Sequence, residues 1–454
     1  MTHKGSPLAD EARQRLLSRV ALLGDDAGAR PPPTTLAKSP TDKSRVDFNT
    51  LPGFEELRIQ RTIGEKIGVG TPYFRMHEAR AGSRTRIDGR EIVNFSSYDY
   101  LGLNADPRIT AAAKEAIDHY GISPSGSRHV AGERPIHRAL ENALATHYGV
   151  DDCVAIVSGY ATNLGVIGQL VGPKDLLICD AAVHNSAVMG GVLSGAARRS
   201  FPHNDLDALE RLLVSTRHKF ERALIVVEGL YSMDGDWPDL HRLIDIKTRY
   251  EAWLMVDEAH ALGVLGNRGY GSFEQCGVDP GQVDIWMGTL SKTLAGCGGY
   301  IAGSADLVNY FKSLVGVFVY SVGMPPLIAA TAHQAVKILR SEPERVARLH
   351  RNAELFRQLA KERGLDTGTS ASTAICPTIV GDSIPAVVLS HKLLDRGFNV
   401  LPVLYPAVPA KAARLRFFLT AEHTPSEIEA ALDATAAELT DMPKTLRAMR
   451  VPGY

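Results

Sequence analysis

Five short apolar segments of the chain each end in polar side chains that could act together in one chemical site. The residues that follow CVAIV, DLLIC, ALIVV, WLMV and DIWMG are, in that order, Ser158, Gly159 and Tyr160; Asp180 and His184; Glu228 and Ser232; Asp257 and His260; Thr289, Ser291 and Lys292. Ligands of open parallel sheets bind at the carboxyl ends of the strands, so we expect these side chains to surround one site. Acids, histidines, a lysine and a hydroxyl–glycine turn together are typical of an organic cofactor site.

Taken singly, each of these residues has an ordinary structural explanation. An aspartate after a strand usually caps a turn or a helix, and Ser-Gly-Tyr before a helix is commonly an N-cap. A lone lysine in such a place is a solvated charge, and a lone histidine is a hydrogen-bonded structural residue. The functional interpretation therefore depends on their joint placement.

The joint placement fits pyridoxal phosphate, whose chemistry requires a fixed set of partners. Lys292 would form the Schiff base, Asp257 would keep the pyridine nitrogen protonated, and His260 would donate to the phenolic oxygen. His184 would cover the face of the ring. The phosphate would bind at a helix start, next to two hydroxyls; the residues concerned are Ser158, Gly159, Tyr160, Thr289 and Ser291.

Other cofactors and metals fit the sequence less well. The glycine cluster at 296–299 lacks the GxGxxG spacing of a dinucleotide loop and follows the lysine rather than a first strand, and the sequence has no Walker loop. Asp257 and His260 have no third or fourth ligand at a recognisable spacing, so we expect no metal site.

Composition limits the classes of partner. The 454 residues include 50 Lys and Arg against 51 Asp and Glu, a balance that argues against a general binder of nucleic acids or membrane surfaces. No apolar stretch reaches the roughly 18 residues that span a bilayer. The five cysteines are scattered without CxxC spacing, and the first residues show no signal or transit peptide. These features predict a soluble, cytoplasmic protein with free thiols.

Strand-like segments alternate with helical patterns from about residue 94 to 339, which predicts an α/β domain with a mostly parallel sheet covered on both faces. A smaller domain is expected at 340–454, joined by residues 46–93. Residues 1–45 are interpreted as an appendage, a short helix followed by a proline-rich linker. A disordered tail and a docking helix for a partner both fit that appendage.

An ordered series of motifs resembles the α-oxoamine synthases, a family with an aminotransferase-like, fold type I structure. The resemblance covers about residues 50–440 and rests on NFSSYDYLGL (94–103), SGSRHVAGERPIHRALE (125–141), SGYATN (158–163), HN (203–204), EGLYSMDGD (228–236), VDEAHALGVLGNRGYG (256–271), GTLSK (288–292), YSVGMPP (320–326) and ARLRFFLTAEHT (413–424).

This resemblance implies roles for individual residues. It agrees with the roles given above to Lys292, Asp257, His260 and His184, and it adds Ser232 near the phenolic oxygen. It also implies that an arginine of ARLRFF binds the amino-acid carboxylate. Arg416 matches that position, but Arg414 would share its face on a strand, so both stay candidates. The family further implies a homodimer with both active sites at the subunit interface.

The implied reaction is a decarboxylative condensation of glycine, alanine or serine with an acyl thioester, which gives an α-aminoketone. The enzyme would be a pyridoxal-phosphate-dependent C-acyltransferase, with His184 the first choice to stabilise the oxyanion. Another reaction on the same fold, such as transamination or decarboxylation, and a non-catalytic carrier-binding protein remain alternatives.

Departures from the family pattern bear on the acyl donor. Tyr98 stands where many members have asparagine, and it is also expected at the substrate site. Val322 and Gly323 occupy places where a hydroxyl often reaches the neighbouring subunit's phosphate. Tyr98 and residues 67–82 resemble polyketide-associated members, which favours a donor delivered on an acyl carrier protein over free coenzyme A.

Overall fold

The structure, a computed structural model, describes residues 47–51, 53–54, 58, 64–65, 68–371, 373–405, 407–449 and 451. The chain divides into two compact units, Met1–Glu65 and Lys66–Tyr454. In the first unit, Phe48–Thr50 forms a short 3-10 helix that begins at Asp47. The helix and linker predicted for residues 1–45 lie outside the described residues, and the boundaries expected at 46, 94 and 340 remain predictions.

The second unit contains strands and helices in alternation. The strands of its described part are β1 (Arg84–Ile87), β2 (Arg90–Asn94), β3 (Asp152–Ile156), β4 (Leu176–Asp180), β5 (Ala197–Phe201), β6 (Ala223–Glu228), β7 (Trp253–Asp257), β8 (Ile285–Thr289), β9 (Gly299–Gly303), β10 (Ile375–Gly381), β11 (Phe398–Asn399), β12 (Leu401–Val403) and β13 (Ala413–Phe418).

The α-helices of the described part are α1 (Pro107–Tyr120), α2 (Pro135–Tyr148), α3 (Gly159–Leu170), α4 (Asn185–Ser194), α5 (Leu206–Thr216), α6 (Leu240–Arg249), α7 (Ser272–Cys276), α8 (Ala305–Leu314), α9 (Gly316–Val319), α10 (Pro326–Ser341), α11 (Pro343–Glu362), α12 (Ser383–Asp395) and α13 (Pro425–Ala448). None of these helices combines the length and the hydropathy that crossing a membrane requires.

Seven strands form one large sheet in the order β3-β9-β8-β7-β6-β4-β5. Neighbouring strands are parallel, except that β9 runs antiparallel to β3 and β8. The five strands predicted from apolar runs are β3, β4, β6, β7 and β8. The α/β class expected from the sequence, with a large mostly parallel sheet, is confirmed.

Both faces of the large sheet are buried, and this explains why its central strands are apolar at nearly every position. In β6, Ile225 and Val227 pack into one hydrophobic cluster, whereas Leu224 and Val226 pack into a second. Side chains alternate across a strand, so a strand covered on both faces needs apolar residues on each.

Two small sheets lie outside the large one. β10, β13 and β12 form an antiparallel sheet with β13 at its centre. In the other, β2 pairs with β1 and, in parallel, with β11. The helix α13 begins at Thr424, which forms a capping box with Glu427. The central strand β13 carries Arg414 and Arg416.

Candidate active site

The carboxyl ends of four parallel strands bring polar side chains to one edge of the large sheet. β4 ends at Asp180, β6 at Glu228, β7 at Asp257 and β8 at Thr289. The register of β6 against β7 places Glu228 directly beside Asp257. Lys292 follows β8 by three residues, so the loop after that strand returns the lysine to the same edge.

A chain of hydrogen bonds joins Asp257 to His184. Asn163 Nδ2 donates to Asp257 Oδ2 (2.8 Å) and to Ser186 Oγ (3.0 Å). Ser186 Oγ lies 2.7 Å from His184 Nδ1. The second carboxylate oxygen of Asp257 accepts the backbone N–H of Ala259 (3.0 Å). These donors are neutral, so they fix the carboxylate in place without cancelling its charge, and a protonated ring nitrogen would be a suitable partner.

His184 stands at the start of α4, where its Nδ1 accepts the backbone N–H of Ser186 (3.2 Å). This bond assigns the proton of a neutral ring to Nε2. Burial lowers the pKa of His184, and the charges of Lys292 and Arg416 lower it further against the opposing effect of Asp257. A neutral, oriented imidazole is suited to stacking on a flat cofactor.

Lys292 is held in a state that favours nucleophilic attack. Burial lowers the pKa of its ammonium group to about 8, although Asp257 and Glu228 act in the opposite direction. Its Nζ lies 5.8 Å from the centre of the Tyr98 ring. A lysine with such a pKa is neutral in a substantial fraction of molecules near neutral pH, as attack on a carbonyl requires.

His260 is buried and is fixed by Tyr100. Tyr100 Oη and His260 Nδ1 are 2.7 Å apart, and the Tyr98 ring packs edge-on at 5.8 Å. Burial sets the pKa of His260 well below its ordinary value, and the charges of Lys292 and Arg416 add to that effect. The bond to Tyr100 occupies Nδ1, which makes Nε2 the atom suited to contact a ligand.

The start of α3 forms a cradle suited to a phosphate. Ser158 is the N-cap and accepts the N–H of Ala161 (3.3 Å), and the preceding N–H groups, those of Gly159 and Tyr160, belong to the first turn, where the N–H groups have no acceptor within the helix. Thr289 Oγ1 is so close that a Cβ added to Gly159 would lie 2.8 Å from it. The Ser291 side chain belongs to the same loop and accepts the N–H of Gly298 (3.3 Å). The Thr289 hydroxyl donates to the Gly298 carbonyl (2.9 Å), so the helix-start N–H groups and the Ser291 hydroxyl are the donors that fit a phosphate group.

The two arginines of β13 have different partners. Arg414 Nη1 donates to Asp234 Oδ1 (2.6 Å) in an ion pair. Arg416 Nη1 donates to the carbonyl of Ser232 (2.8 Å), and its Nη2 lies 3.4 Å from Tyr98 Oη. The buried Nε of Arg416 has no hydrogen-bond partner among the described residues. The geometry therefore favours Arg416 over Arg414 as the group that binds a carboxylate.

Glu228 is buried beside Asp257 at the end of β6. Burial raises the pKa of Glu228 to about 8, with a further contribution from the charge of Asp257. Its Oε2 accepts the N–H of Ser232 (3.3 Å), and its Oε1 has no hydrogen-bond partner in the described part of the chain. Near neutral pH, Glu228 is therefore mostly protonated.

A pocket of about 320 Å³ opens beside the lysine. Its lining is mostly polar and consists of His77, Ala81, Asn94, Ser96, Ser97, Tyr98, Asp99, Asn104, Ser291, Lys292, Ala295 and Gly296. Tyr98 was expected at the substrate site, and the structure places it between Lys292 and Arg416. Such a pocket gives a substrate access to the lysine from solvent.

Three residues of the site were missing from the expected set: Tyr100, Asn163 and Ser186. Tyr100 and Asn163 belong to the motifs YDYLG and SGYATN, which were noted without a role for these side chains. These two motifs were therefore the sequence features from which Tyr100 and Asn163 could have been predicted. For Ser186 the sequence offered only its place two residues after His184.

Comparisons with known proteins identify the family of the chain. The family model for aminotransferase class I and II matches residues 90–434. A putative 8-amino-7-oxononanoate synthase of Gloeobacter violaceus is 42% identical over 81% of this chain and 92% of its own length. The 8-amino-7-oxononanoate synthase of Geobacter sulfurreducens is 43% identical over 78% of this chain and 90% of its own length.

Solved structures give the same result. A structure of a serine palmitoyltransferase variant from S. paucimobilis with a bound PLP–myriocin aldimine superposes with a TM-score of 0.83 at 30% identity, covering 89% of this chain and 100% of that one. The donor set described above fits the same cofactor. The chain belongs to the α-oxoamine synthases, pyridoxal-phosphate-dependent C-acyltransferases within the class I and II aminotransferase family.

Proposed function

We propose that the chain condenses glycine, alanine or serine with an acyl thioester, with loss of carbon dioxide. In this reaction Arg416 binds the carboxylate of the amino acid, and Lys292 and Asp257 bind the cofactor. The observation that carries this assignment is the guanidinium of Arg416. It has a buried Nε without a partner among the described residues, and it contacts Tyr98, whose ring lies 5.8 Å from Lys292 Nζ. A carboxylate would supply the missing acceptor.

When bound, pyridoxal phosphate supplies an electron sink for the negative charge that forms on the α-carbon of the amino acid. Lys292 Nζ would hold the cofactor and later carry the α-proton, because its lowered pKa lets the amine exist without a proton. Asp257, fixed by Asn163 and Ala259, would keep the pyridine nitrogen protonated.

The two histidines would act as oriented neutral groups. His184, with its proton on Nε2, would cover the ring and donate to the oxyanion that develops at the thioester carbonyl. His260 would approach the phenolic oxygen through Nε2, since Tyr100 occupies its Nδ1. Ser232 and Glu228 would support this side of the cofactor, since the Ser232 N–H donates to Glu228.

The phosphate would lie at the start of α3. The N–H groups of Gly159 and Tyr160 follow the N-cap Ser158, and Thr289 Oγ1 lies close to Gly159. Ser291, in the loop after Thr289, would supply the hydroxyl donor, because the Thr289 hydroxyl donates to the Gly298 carbonyl. Positive charge at a helix start and hydroxyl donors both stabilise a phosphate dianion.

The proposed donor is an acyl group on a carrier protein rather than on free coenzyme A. Tyr98 lies at the mouth of the pocket beside Lys292, at the position where it departs from many family members. The segment that resembles polyketide-associated members presents Phe74 and Met76 to solvent, with 94% and 79% of their surfaces exposed. Exposed apolar side chains of this kind could contact a carrier.

We further propose a cytoplasmic homodimer with its sites at the interface. The helix α4, which begins at His184, presents four apolar side chains to solvent in the single chain: Val188, Met189, Val192 and Leu193. Contiguous exposed apolar surface usually marks an interface, and covering α4 would enclose the site. All five cysteines are free thiols, which is typical of a reducing compartment.

A product screen tests the proposed reaction. Purified enzyme is incubated with glycine, alanine or serine together with acyl thioesters of varied length on coenzyme A or on a carrier, and products are identified by mass spectrometry. We expect an α-aminoketone, free thiol and carbon dioxide in equal amounts. Formation of a keto acid without free thiol would instead indicate transamination, and an amine without free thiol would indicate simple decarboxylation.

A further inference from the structure

The loop between β6 and α6 connects the large sheet to the strand that carries Arg416. We refer to residues 231–236 as the YSMDGD loop. On one side, the Ser232 carbonyl accepts from Arg416 Nη1 (2.8 Å), and the Asp234 carboxylate pairs with Arg414 (2.6 Å). The orientation of the Arg416 guanidinium therefore depends on where this loop lies.

On the other side, His203 holds the same loop. Its Nε2 lies 3.1 Å from Asp236 Oδ2, and its Nδ1 lies 2.9 Å from Asp180 Oδ1, at the end of β4. The His203 ring also packs edge-on against the Tyr231 ring at 4.4 Å, and Asn204 Nδ2 donates to Asp236 (3.3 Å). His203 thus bridges the sheet and the loop with both ring nitrogens.

The loop is short and internally closed, so a displacement at Asp236 reaches Ser232. The N–H of Tyr231 donates to the carbonyl of Asp236 (2.8 Å), and the N–H of Gly235 donates to the carbonyl of Tyr231 (2.9 Å). Gly235 adopts a positive φ of 74°, and a Cβ there would lie 2.3 Å from a backbone oxygen of β10, which only glycine permits. The loop has little room to adjust independently at its two ends.

A positive charge on His203 strengthens its contacts with Asp180 and Asp236. Burial lowers the pKa of His203, but its hydrogen bonds with Asp180 and Asp236 and their charges outweigh burial and raise that pKa to about 10. A histidine with both nitrogens donating to carboxylates is an imidazolium. The groups that face it are Asp180, Asp236, Asn204 and Tyr231.

We propose that His203 is a positioning residue for the amino-acid substrate: by tying Asp236 to Asp180, it fixes the YSMDGD loop, whose Ser232 carbonyl orients Arg416. The proposal rests on the proposed function, because it takes Arg416 as the ligand of the substrate carboxylate. His203 itself contacts neither substrate nor cofactor in this account. Its effect is confined to the affinity for the amino acid.

The test replaces the charged bridge with a neutral one. In His203→Gln, the side chain still donates a hydrogen bond but carries no charge. We expect the dissociation constant of the amino acid, measured by the change in the visible spectrum of the holoenzyme, to rise about 10-fold, since charge-assisted hydrogen bonds are worth more than neutral ones. The KM for the acyl thioester and the affinity for pyridoxal phosphate should stay unchanged.

Two further variants control for folding. His218→Gln changes an exposed histidine and should alter none of these constants. Asp236→Asn removes the charge from the other end of the bridge and should reproduce the effect of His203→Gln, so the test does not depend on one variant being stable. Hydrogen exchange of residues 231–236 should quicken in both bridge variants, in the cofactor-free protein as well.

Arg416→Lys tests the role of Arg416 in substrate binding separately from the positioning role of His203. If this variant binds the amino acid normally, the proposed role of Arg416 is wrong whatever His203 does. If Arg416→Lys weakens binding but both bridge variants bind the amino acid normally, only the positioning role is overturned. If His203 acts through Arg416, adding His203→Gln to Arg416→Lys should cost much less than 10-fold, because coupled residues are not additive. An equal loss for amino acid, thioester and cofactor would indicate a merely structural role.

Discussion

Around Lys292, burial decides which groups carry charge. It keeps His184 and His260 neutral by lowering the pKa of each, and it favours the protonated form of Glu228 by raising the pKa of that carboxyl to about 8. Asp257 is the carboxylate that hydrogen bonds hold in place. A neutral Glu228 suits a protonated pyridine ring, because a second carboxylate would compete for the same proton.

The lowered pKa of Lys292 predicts its reactivity. With a pKa of about 8, about a tenth of the Lys292 side chains are neutral at pH 7, compared with a few in ten thousand for an ordinary lysine. We expect the rate of pyridoxal phosphate capture by the cofactor-free enzyme to rise with pH and to level off above about 8. The measurement is the growth of visible absorbance at a series of pH values.

Chemical trapping identifies the lysine. Borohydride treatment of the holoenzyme should fix the cofactor to the peptide that contains Lys292, and Lys292→Ala should lose at least the ~10²–10⁴-fold of rate that positioned acid–base groups supply. Lys312 provides a matched control, because it is paired with Glu141 and Asp152 away from the sheet edge. Label on any lysine other than Lys292 would contradict the site.

Asp257 should matter for chemistry more than for cofactor binding. Asp257→Asn keeps the shape of the side chain but removes the charge, so the ring nitrogen would lose its proton and the α-proton would leave slowly. We expect kcat to fall ~10²-fold or more while the dissociation constant of pyridoxal phosphate changes far less. Asp245→Asn, on the exposed face of α6, should have no effect. Unchanged turnover in Asp257→Asn would show that another group protonates the ring.

For single residues, the sequence predicts the side chains whose type is restricted by the chemistry. It does not predict the side chains whose role depends on contacts formed in the tertiary structure. Lys292 and Asp257 were predicted as site residues because each follows a recognisable strand. Tyr100 was missed because its partner, His260, is 160 residues away. The choice between Arg414 and Arg416 depended on Asp234, which pairs with only one of them. Partners of this kind are set by the fold and cannot be read from spacing.

At the scale of elements, the helix α3 is the clearest case of a local structure that serves the site. Its N-cap, Ser158, accepts the N–H of Ala161, and the start of the helix lies against Thr289 at the end of β8. Gly159 allows that helix start to approach Thr289. A bulkier residue would separate the two halves of the proposed phosphate cradle.

Gly159→Ala tests this approach. The added methyl would lie 2.8 Å from Thr289 Oγ1, so the hydroxyl or the helix must shift by a few tenths of an ångström. We expect the dissociation constant of pyridoxal phosphate to rise about 10-fold, which is about the cost of one charge-assisted hydrogen bond to the phosphate. Gly172→Ala, where the methyl meets only Asp175 at 3.9 Å, should bind the cofactor normally. Equal affinities for the two variants would exclude the close approach.

Strand prediction succeeded where the strand is a nearly continuous run of large apolar residues. The five predicted strands of the large sheet are apolar because helices cover both faces. The sheet also contains β5 and β9, which were not predicted. β5 is an edge strand with three exposed residues, and β9 begins and ends with glycine, so neither carries the expected apolar run. Tertiary pairing, rather than local propensity, makes them strands.

At the scale of the whole molecule, the question is how a large acyl donor reaches Lys292. The polar pocket beside the lysine is about 320 Å³, enough for a slender thioester arm but not for a protein. A carrier would therefore have to dock outside and insert only its arm. The exposed side chains of Phe74 and Met76, and residues 1–45, are the proposed contacts.

The last prediction concerns this donor. An acyl-carrier thioester should exceed the matching coenzyme A thioester in kcat/KM, because the carrier adds contacts that coenzyme A lacks. Deleting residues 1–45, or changing Phe74 and Met76 together to Ser, should raise KM for the carrier substrate and leave kcat intact, as expected when only binding is lost. The amino-acid affinity of these variants should match that of the full chain, which serves as the internal control. Equal efficiency with both donors, before and after these changes, would assign the reaction to coenzyme A thioesters and leave the chemistry at Lys292 as described.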